Sequence, residues 1–526
     1  MSNRLLSFGF VLLGLLCFTA VVNADEADDV TRLAAEIDRL IEEKWKTEGV
    51  TPAPIADDAE FFRRLHLDLC GRIPRAAEVR DFLADENPNK RSEAIEDLLR
   101  RPTFVIHHTN LWRAAMIPEA DADQGIRFQL PGFEAWLRSR IAENKNFAEI
   151  TEEILTLPVN PENQQQFIQP DRPTPVAFYL AKEFKVERLT AATSRLFLGV
   201  RIDCAQCHDH PFDHWKQPEF WSLAAFYDEV PRVGPDAQPG APGDGRSIQI
   251  PDTEKTVSAR FLDGQEPDWK GGDSSRAKLA KWITSTENPY FAKAAVNRIW
   301  SYHFGLGLVE PMDDFSDLNP PSHPELLQLL ADEFVAHNYD FKFMTRAITN
   351  SKTYQRTSRQ TDESQDDPTL FARSAVRGMT PEQIFDSLAQ ATGYRQPFDP
   401  EQPVNFNNDT ARQDFLGTFT NDSDSPIDRA TSILQALSLM NGNFVNNATD
   451  LTDSRTLAAI IDSPFLDVNE RVDALYLSTL SRMPSDAERA RCVDYIQSGG
   501  SDGDAKAAVA DLFWALLNSS EFLLNH

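Results

Sequence analysis

The sequence predicts a mainly α-helical protein: two helical domains with a few short strands near the linker between them. Three observations carry this. Apolar residues recur at three- and four-residue spacing along most of the chain, the period of a helix with one buried face. Proline, glycine and capping residues punctuate those runs at helix ends. Strand-like segments are confined to 247–251 and 256–262, just after a stretch rich in proline and glycine. At 526 residues, 41% of them hydrophobic, the chain is too long for one ordinary core and apolar enough to build more than one.

In the first domain, Val30, Leu33, Ile37, Leu40, Ile41 and Trp45 share one face of a helix over 27–48, which Pro52 and Pro54 end. Phe61, Phe62, Leu65 and Leu69 mark a second helix over 57–69, with Gly71 and Pro74 as stop signals. Shorter helices are expected over 75–84, 91–101, 103–116, 131–144 and 146–156, with Pro102 and Pro131 placed as first-turn prolines. The run 157–175 reads as loop. A helical stretch over 176–200 then delivers the chain to Arg201, and Pro218 opens a short helix over 218–227. Proline and glycine crowd 231–247, which marks a linker. The expected domains are therefore 25–235 and 271–526, with 236–270 as a linker that carries the short strands. Helices of the second domain are expected over 274–284, 288–304, 325–337, 341–350 and 380–392, the last opened by Thr380-Pro381-Glu382-Gln383. Loops are expected over 356–369 and in the Asn- and Asp-rich region 397–426. Helices follow over 427–441, 451–463, 468–482, 485–498 and 504–521.

The first 24 residues read as an export signal outside the fold. Arg4 supplies the positive start, Leu5 to Val22 is apolar, and Val22-Asn23-Ala24 is a small-residue cleavage site followed at once by acid. The expected location is periplasmic or extracellular, with no membrane span after cleavage. Lys and Arg total 52 against 81 Asp and Glu, a net charge of −29. That balance argues against a nucleic-acid or anionic-membrane partner, because phosphate binding needs local positive charge.

Cleavage would also remove Cys17 and leave four cysteines: Cys70, Cys204, Cys207 and Cys492. Cys70 and Cys492 are candidates for a long-range disulfide in an oxidising compartment. Cys204 and Cys207 lie in Cys204-Ala205-Gln206-Cys207-His208-Asp209-His210-Pro211-Phe212-Asp213-His214-Trp215, where thiols and imidazoles are most concentrated. Its first five residues are Cys-x-x-Cys-His, the attachment pattern of a c-type haem. Two thiols at this spacing reach the vinyl edge of one porphyrin, and the adjoining His208 falls beneath the iron as axial ligand. His210 cannot supply the opposite ligand, because two residues span only about 7 Å, and His214 would be strained for the same reason. His66, His107, His108, His303 and Met312 are the candidates for that position. Two alternatives stand beside haem: a zinc site from Cys204, Cys207, His210 and His214, all good tetrahedral ligands, and a plain disulfide between Cys204 and Cys207. The expected function is a c-type haem-binding redox or electron-transfer protein with an unidentified redox partner or extracellular enzyme. The alternative is a non-redox binding or scaffold protein.

Other candidates are weaker. Asp313, Asp314 and His323 have the residue types of a hydrolytic centre or a calcium site. Asp409, Asp414, Asp422 and Asp424 could offer calcium ligands but match no calcium-loop template. Glycine-rich phosphate loops and His-Glu-x-x-His do not occur, so common nucleotide and zinc-protease chemistries have no motif support.

Long motifs add a resemblance. Phe61-Phe62-Arg63-Arg64-Leu65-His66-Leu67-Asp68-Leu69-Cys70-Gly71-Arg72-Ile73-Pro74 and the segment Cys204–Phe212 resemble domain of unknown function 1549. Asn288-Pro289-Tyr290-Phe291-Ala292-Lys293-Ala294-Ala295-Val296-Asn297-Arg298-Ile299-Trp300 resembles domain of unknown function 1553, as do Gly305–Glu310 and Asn319–Leu327. The pair is typical of secreted proteins of planctomycetes and related bacteria, and their activity is not established. Many such proteins carry an additional cytochrome-c-like domain before the first of the two. This sequence leaves no room for one after Ala24, so Cys204–His208 is its one candidate redox centre. Sulfatase-like neighbours of such proteins suggest polysaccharide breakdown by association alone.

Overall fold

The computed structural model describes residues 9–121, 123–159, 173–231, 243–395, 410–418, 442, 444–445, 449–451, 454–501 and 503–526, with side chains from residue 26 onward. The fold is mainly α-helical, as expected. The helix expected over 27–48 is the end of a longer one, Gly9–Glu48, and Val30, Leu33, Ile37, Ile41 and Trp45 are buried along one face. The start of the expected signal, residues 1–8, lies outside the described residues. Among the described residues no helix is long and apolar enough to cross a membrane.

This first helix does not pack within its own half of the sequence. It lies on helices Pro324–Ala336 and Phe341–Asn350. Arg32 pairs with Glu333 at 2.7 Å, Asp38 accepts from the backbone N–H groups of Lys352 and Thr353, and the Trp45 indole donates to the Leu370 carbonyl. One continuous apolar core therefore runs from Val30 to Phe371, across the expected linker. Trp112, Phe147, Phe291 and Phe341 meet in it, drawn from both sides of 236–270. Each such ring contributes about 1.5–3 kcal/mol through burial. A second core holds Met379, Phe385, Leu457, Leu475 and Phe513, and takes Leu67 and Ile73 from the N-terminal half. The linker carries an antiparallel hairpin, Ser247–Gln249 with Thr256–Ser258, in the two segments expected as strands.

Helix Asp58–Cys70 follows its sequence signals closely. Asp57 accepts from the Glu60 N–H as N-cap, and Gly71 closes the helix in the left-handed region at φ 67°. Helix Gln124–Ala142 does not. It starts seven residues before the expected 131, because the Asp123 carboxylate caps it by accepting from Gly125 and Ile126. Pro131 is thus inside the helix rather than in its first turn. The expected run 176–200 is also broken. Glu183 and Phe184 take positive φ between helices Val176–Ala181 and Val186–Thr193, and a π-helical turn, Ser194–Leu198, precedes Gly199. The region 397–426 contains a helix, Thr410–Thr418, with Asp414 on it. The candidate calcium ligands Asp409, Asp422 and Asp424, and the helix expected over 427–441, lie outside the described residues.

At the C-terminus Leu524–Asn525 pairs with Arg377–Gly378 as a short antiparallel bridge. This seats Asn525 beside Asp68 of helix Asp58–Cys70. Asp68 accepts from Arg377 at 2.9 Å through both oxygens, from the Tyr354 hydroxyl at 2.8 Å and from the Asn525 amide at 2.6 Å. All four residues are buried. One carboxylate thus ties three distant parts of the chain together.

Candidate functional site

The Cys-x-x-Cys-His segment is a surface turn held from below. Asp203–Gln206 forms one turn of 3-10 helix. Ile202 and Ala205 are buried on its inner side and fix it to the core, while Cys204, Cys207 and His208 are exposed. The following helix, Gln217–Ala224, fastens the turn from the other side. The Trp221 indole donates to the Gln206 carbonyl at 2.9 Å, and the Gln217 amide donates to the Cys207 carbonyl at 2.9 Å. Asp209 in turn accepts from the Gln217 N–H. Trp215 is buried, whereas Phe212 stands 77% exposed.

The imidazoles of this segment differ in what their nitrogens can do. His208 Nδ1 lies 2.8 Å from the Asp209 carbonyl oxygen. A carbonyl only accepts, so Nδ1 holds the proton and Nε2 keeps its lone pair for a metal. His210 is the reverse: its Nδ1 accepts the Phe212 N–H, which places its proton on Nε2. His214 is paired with Asp213 at 2.7 Å and its ring lies tilted against Trp215. The zinc set is not gathered: among the described residues no group of three or more His, Cys, Asp or Glu is close enough to share a metal ion. The gap between the cysteine pair and the histidines is too short for the loop to fold back. Cys204 and Cys207 are both free, with no bond between them. The donors present fit a covalently attached haem: two accessible thiols, and an imidazole whose inner nitrogen is already tethered.

The remaining candidates are placed elsewhere. His66, His107, His108 and His303 are buried in the cores, and burial pushes all four below the ordinary histidine range, His107 and His303 down to about 4. Met312 takes an N–H of Arg298 on its sulfur at 3.3 Å. Asp313, Asp314 and His323 do not converge. Asp313 is held by Arg195 and Arg201, Asp314 accepts from Asn319, and His323 packs against Phe371 with Nδ1 at Ser322. Two arginines on one carboxylate leave Asp313 no role as a base. Burial alone would raise its carboxyl, but those guanidinium groups hold it below the usual range. Cys70 and Cys492 are unpaired as well. Cys70 is buried in the first core near Thr103, and Cys492 sits by the Tyr476 hydroxyl in the second.

A cleft of about 1830 Å³ opens beside the motif and was not foreseen. Its wall includes Arg195, Arg201 and Asp203 and stops there, one residue short of Cys204. The π-helical turn builds this edge. Ser194 donates to the Val200 carbonyl, and Gly199, at φ 68°, accepts the Phe315 N–H on its carbonyl oxygen. That reversal aims Arg195 and Arg201 at the same carboxylate. Asn297 pins the loop that carries Met312 and Asp313, which also line the cleft. It exchanges hydrogen bonds with the N–H and C=O of Val309 and donates to the Met312 carbonyl.

Residues 36–232 match the family described as Protein of unknown function (DUF1549), and residues 275–496 match Protein of unknown function (DUF1553). The chain belongs to the planctomycete-type proteins that pair these two domains. No curated protein and no solved structure matches it. In these terms the Cys-x-x-Cys-His turn, Arg195 and Arg201 belong to the DUF1549 part, and Arg298, Met312 and Asp313 to the DUF1553 part. The cleft is lined by both, and so is the first core.

Proposed function

We propose that this DUF1549–DUF1553 protein is an exported, c-type haem-binding protein that acts in electron transfer or supports an extracellular enzyme. Cys204 and Cys207 would hold the group by two thioether bonds, each thiol adding S and H across a vinyl double bond with no net oxidation. His208 would ligate the iron through Nε2. When bound, the haem supplies one-electron exchange. The chain's own residues do the rest: Asp209 orients the His208 ring, and Trp221 and Gln217 keep the turn in place. The tethered His208 flanked by two free, exposed thiols is the single observation that carries this reading. The apolar leader ending at Ala24 supports export, the setting in which such attachment takes place.

The test is the absorption spectrum of the chain produced in a host with a cytochrome c maturation system. A covalent haem band should appear, and it should vanish in the variant carrying Cys204→Ala and Cys207→Ala. In His208→Ala the band should shift while the covalent attachment persists. A colourless protein would refute the haem reading. If that protein contains a Cys204–Cys207 disulfide or stoichiometric zinc, the binding or scaffold reading takes its place.

A further inference from the structure

The cleft has the opposite charge to the rest of the molecule. Among the described residues, twelve Lys and Arg line it against seven Asp and Glu, in a chain of net charge −29. Most of those acids are already committed. Asp313 is shared by Arg195 and Arg201, Glu382 is paired with Arg113, Glu119 with Lys182, and Asp386 with Arg412. Among the described residues, five cations on the wall, Arg72, Arg75, Arg138, Arg298 and Arg395, have no carboxylate within ion-pair distance.

Arg298 is the decisive one. It is only 9% exposed, its Nε has no hydrogen-bond partner, and its one polar contact is the neutral sulfur of Met312. A guanidinium stays protonated whatever its surroundings, so it cannot shed its charge. A buried cation without a counterion is costly, and here it faces an open cavity. The Nε of Arg138 is also sealed from solvent without a partner.

We propose that the cleft binds an extended organic anion and that Arg298 holds one of its oxyanion groups, a carboxylate or a sulfate. The fork of N–H donors on a guanidinium matches the paired oxygens of such a group. The cavity exceeds the roughly 300–1,000 Å³ of ordinary small-molecule sites, and its cations lie along the wall rather than at one point, which suits a chain of anionic units. A nucleic acid fits less well. Single-stranded nucleic acids need stacking platforms, and among the described residues the wall offers few Phe, Tyr or Trp rings, namely Phe128, Tyr302 and Tyr394. This proposal does not depend on haem at Cys204–His208.

Calorimetry with the full chain tests it, using tetragalacturonate as an extended carboxylate, citrate and inorganic sulfate as small anions, cellotetraose as a neutral chain and an oligonucleotide. Tetragalacturonate should bind more tightly than citrate or sulfate, and more weakly as salt is raised, while cellotetraose should not bind. Arg298→Met should weaken binding by at least about tenfold, and Arg298→Lys by less. Arg298→Met should also leave the ligand-free unfolding temperature unchanged or higher, because it removes an unpaired buried charge; a purely structural arginine would give a fall. Arg138→Met repeats the measurement at a second wall position. Binding unchanged in both methionine variants, no binding by any anion, or tightest binding by the oligonucleotide would each overturn the proposal.

Discussion

Lowering the pH from about 7 to 5 should destabilise this protein strongly, through its buried histidines. His107, His303 and His323 are at most 5% exposed, and burial pushes each down to about 4. Asp68 opposes the shift at His107 and His303, and Lys44 reinforces it at His323. His66 and His108 move in the same direction. Each ring is neutral in the folded protein and becomes protonated near 6.5 when unfolded. Below 6.5 the unfolded chain therefore binds more protons, so stability rises with pH and falls as acid is added. A shift of one pKa unit is worth about 1.4 kcal/mol, so each of the three loses about 2 kcal/mol between pH 7 and 5. Together they lose about 6 kcal/mol, against total domain stabilities of about 5–15 kcal/mol. Burial raises the carboxyls of Glu134, Asp203 and Asp386, and a carboxyl raised on folding gains stability as acid is added, so these three oppose the histidine loss. Urea unfolding followed by circular dichroism at several pH values measures the loss. His303→Leu, where neither ring nitrogen has a partner, should reduce it by about 2 kcal/mol. A midpoint that stays constant from about pH 7 to 5 would refute the reasoning, as would an unaltered slope in His303→Leu.

Three further outcomes follow from particular contacts. Gly199→Ala should cost about 2 kcal/mol, because φ is 68° and a Cβ there would sit 2.7 Å from the Phe315 ring; Gly264→Ala, at φ 83° with nothing within 4 Å, is the control, and equal losses in thermal unfolding would sink the steric argument. Asp68→Asn should cost about 3–5 kcal/mol, because it leaves Arg377 charged and buried, and adding Arg377→Met should recover much of that loss; simply additive losses in a double-mutant cycle would contradict it. Asp467→Ala should cost about 1 kcal/mol, since Asp467 accepts the Glu470 N–H at 2.9 Å and Glu470 accepts the Asp467 N–H in return; an unfolding midpoint equal to that of the parent protein would show that the cap is idle.

The helices were legible in the sequence because their signals are local. Asp57 and Gly71, Thr380 and Pro381, and the apolar face from Val30 to Trp45 each act within a few turns. The start of Gln124–Ala142 is obscured in the sequence because Pro131 has the form of a first-turn proline, whereas Asp123 is the residue that caps the helix. Apolar periodicity identifies a buried face but not what covers it. Nothing near Trp45 announces Leu370, so the core that crosses the expected linker could not be read. The same holds for polar chemistry. The Cys204–His208 turn is contiguous and therefore legible, whereas Asp68 meets Arg377 and Asn525 from distant segments. Arg195 and Arg201 likewise meet Asp313 only through folding.

What separates Arg298 from an ordinary core arginine is visible within this same molecule. Arg63 is sealed in the interior, yet it donates to the carbonyls of Thr479 and Phe522. Arg276 reaches Glu229 and the Leu157 carbonyl, and Arg377 reaches Asp68 and the Tyr302 carbonyl. The fold thus gives each of these buried guanidinium groups at least one carboxylate or backbone oxygen, even where, as in Arg63 and Arg377, the Nε itself has no partner. It had acid to spare, with 81 carboxylate side chains against 52 cationic ones, and none was set against Arg298. A charge left uncompensated in such company departs from the pattern of its own protein. Departures of this kind concentrate at functional sites, where the missing partner arrives from outside.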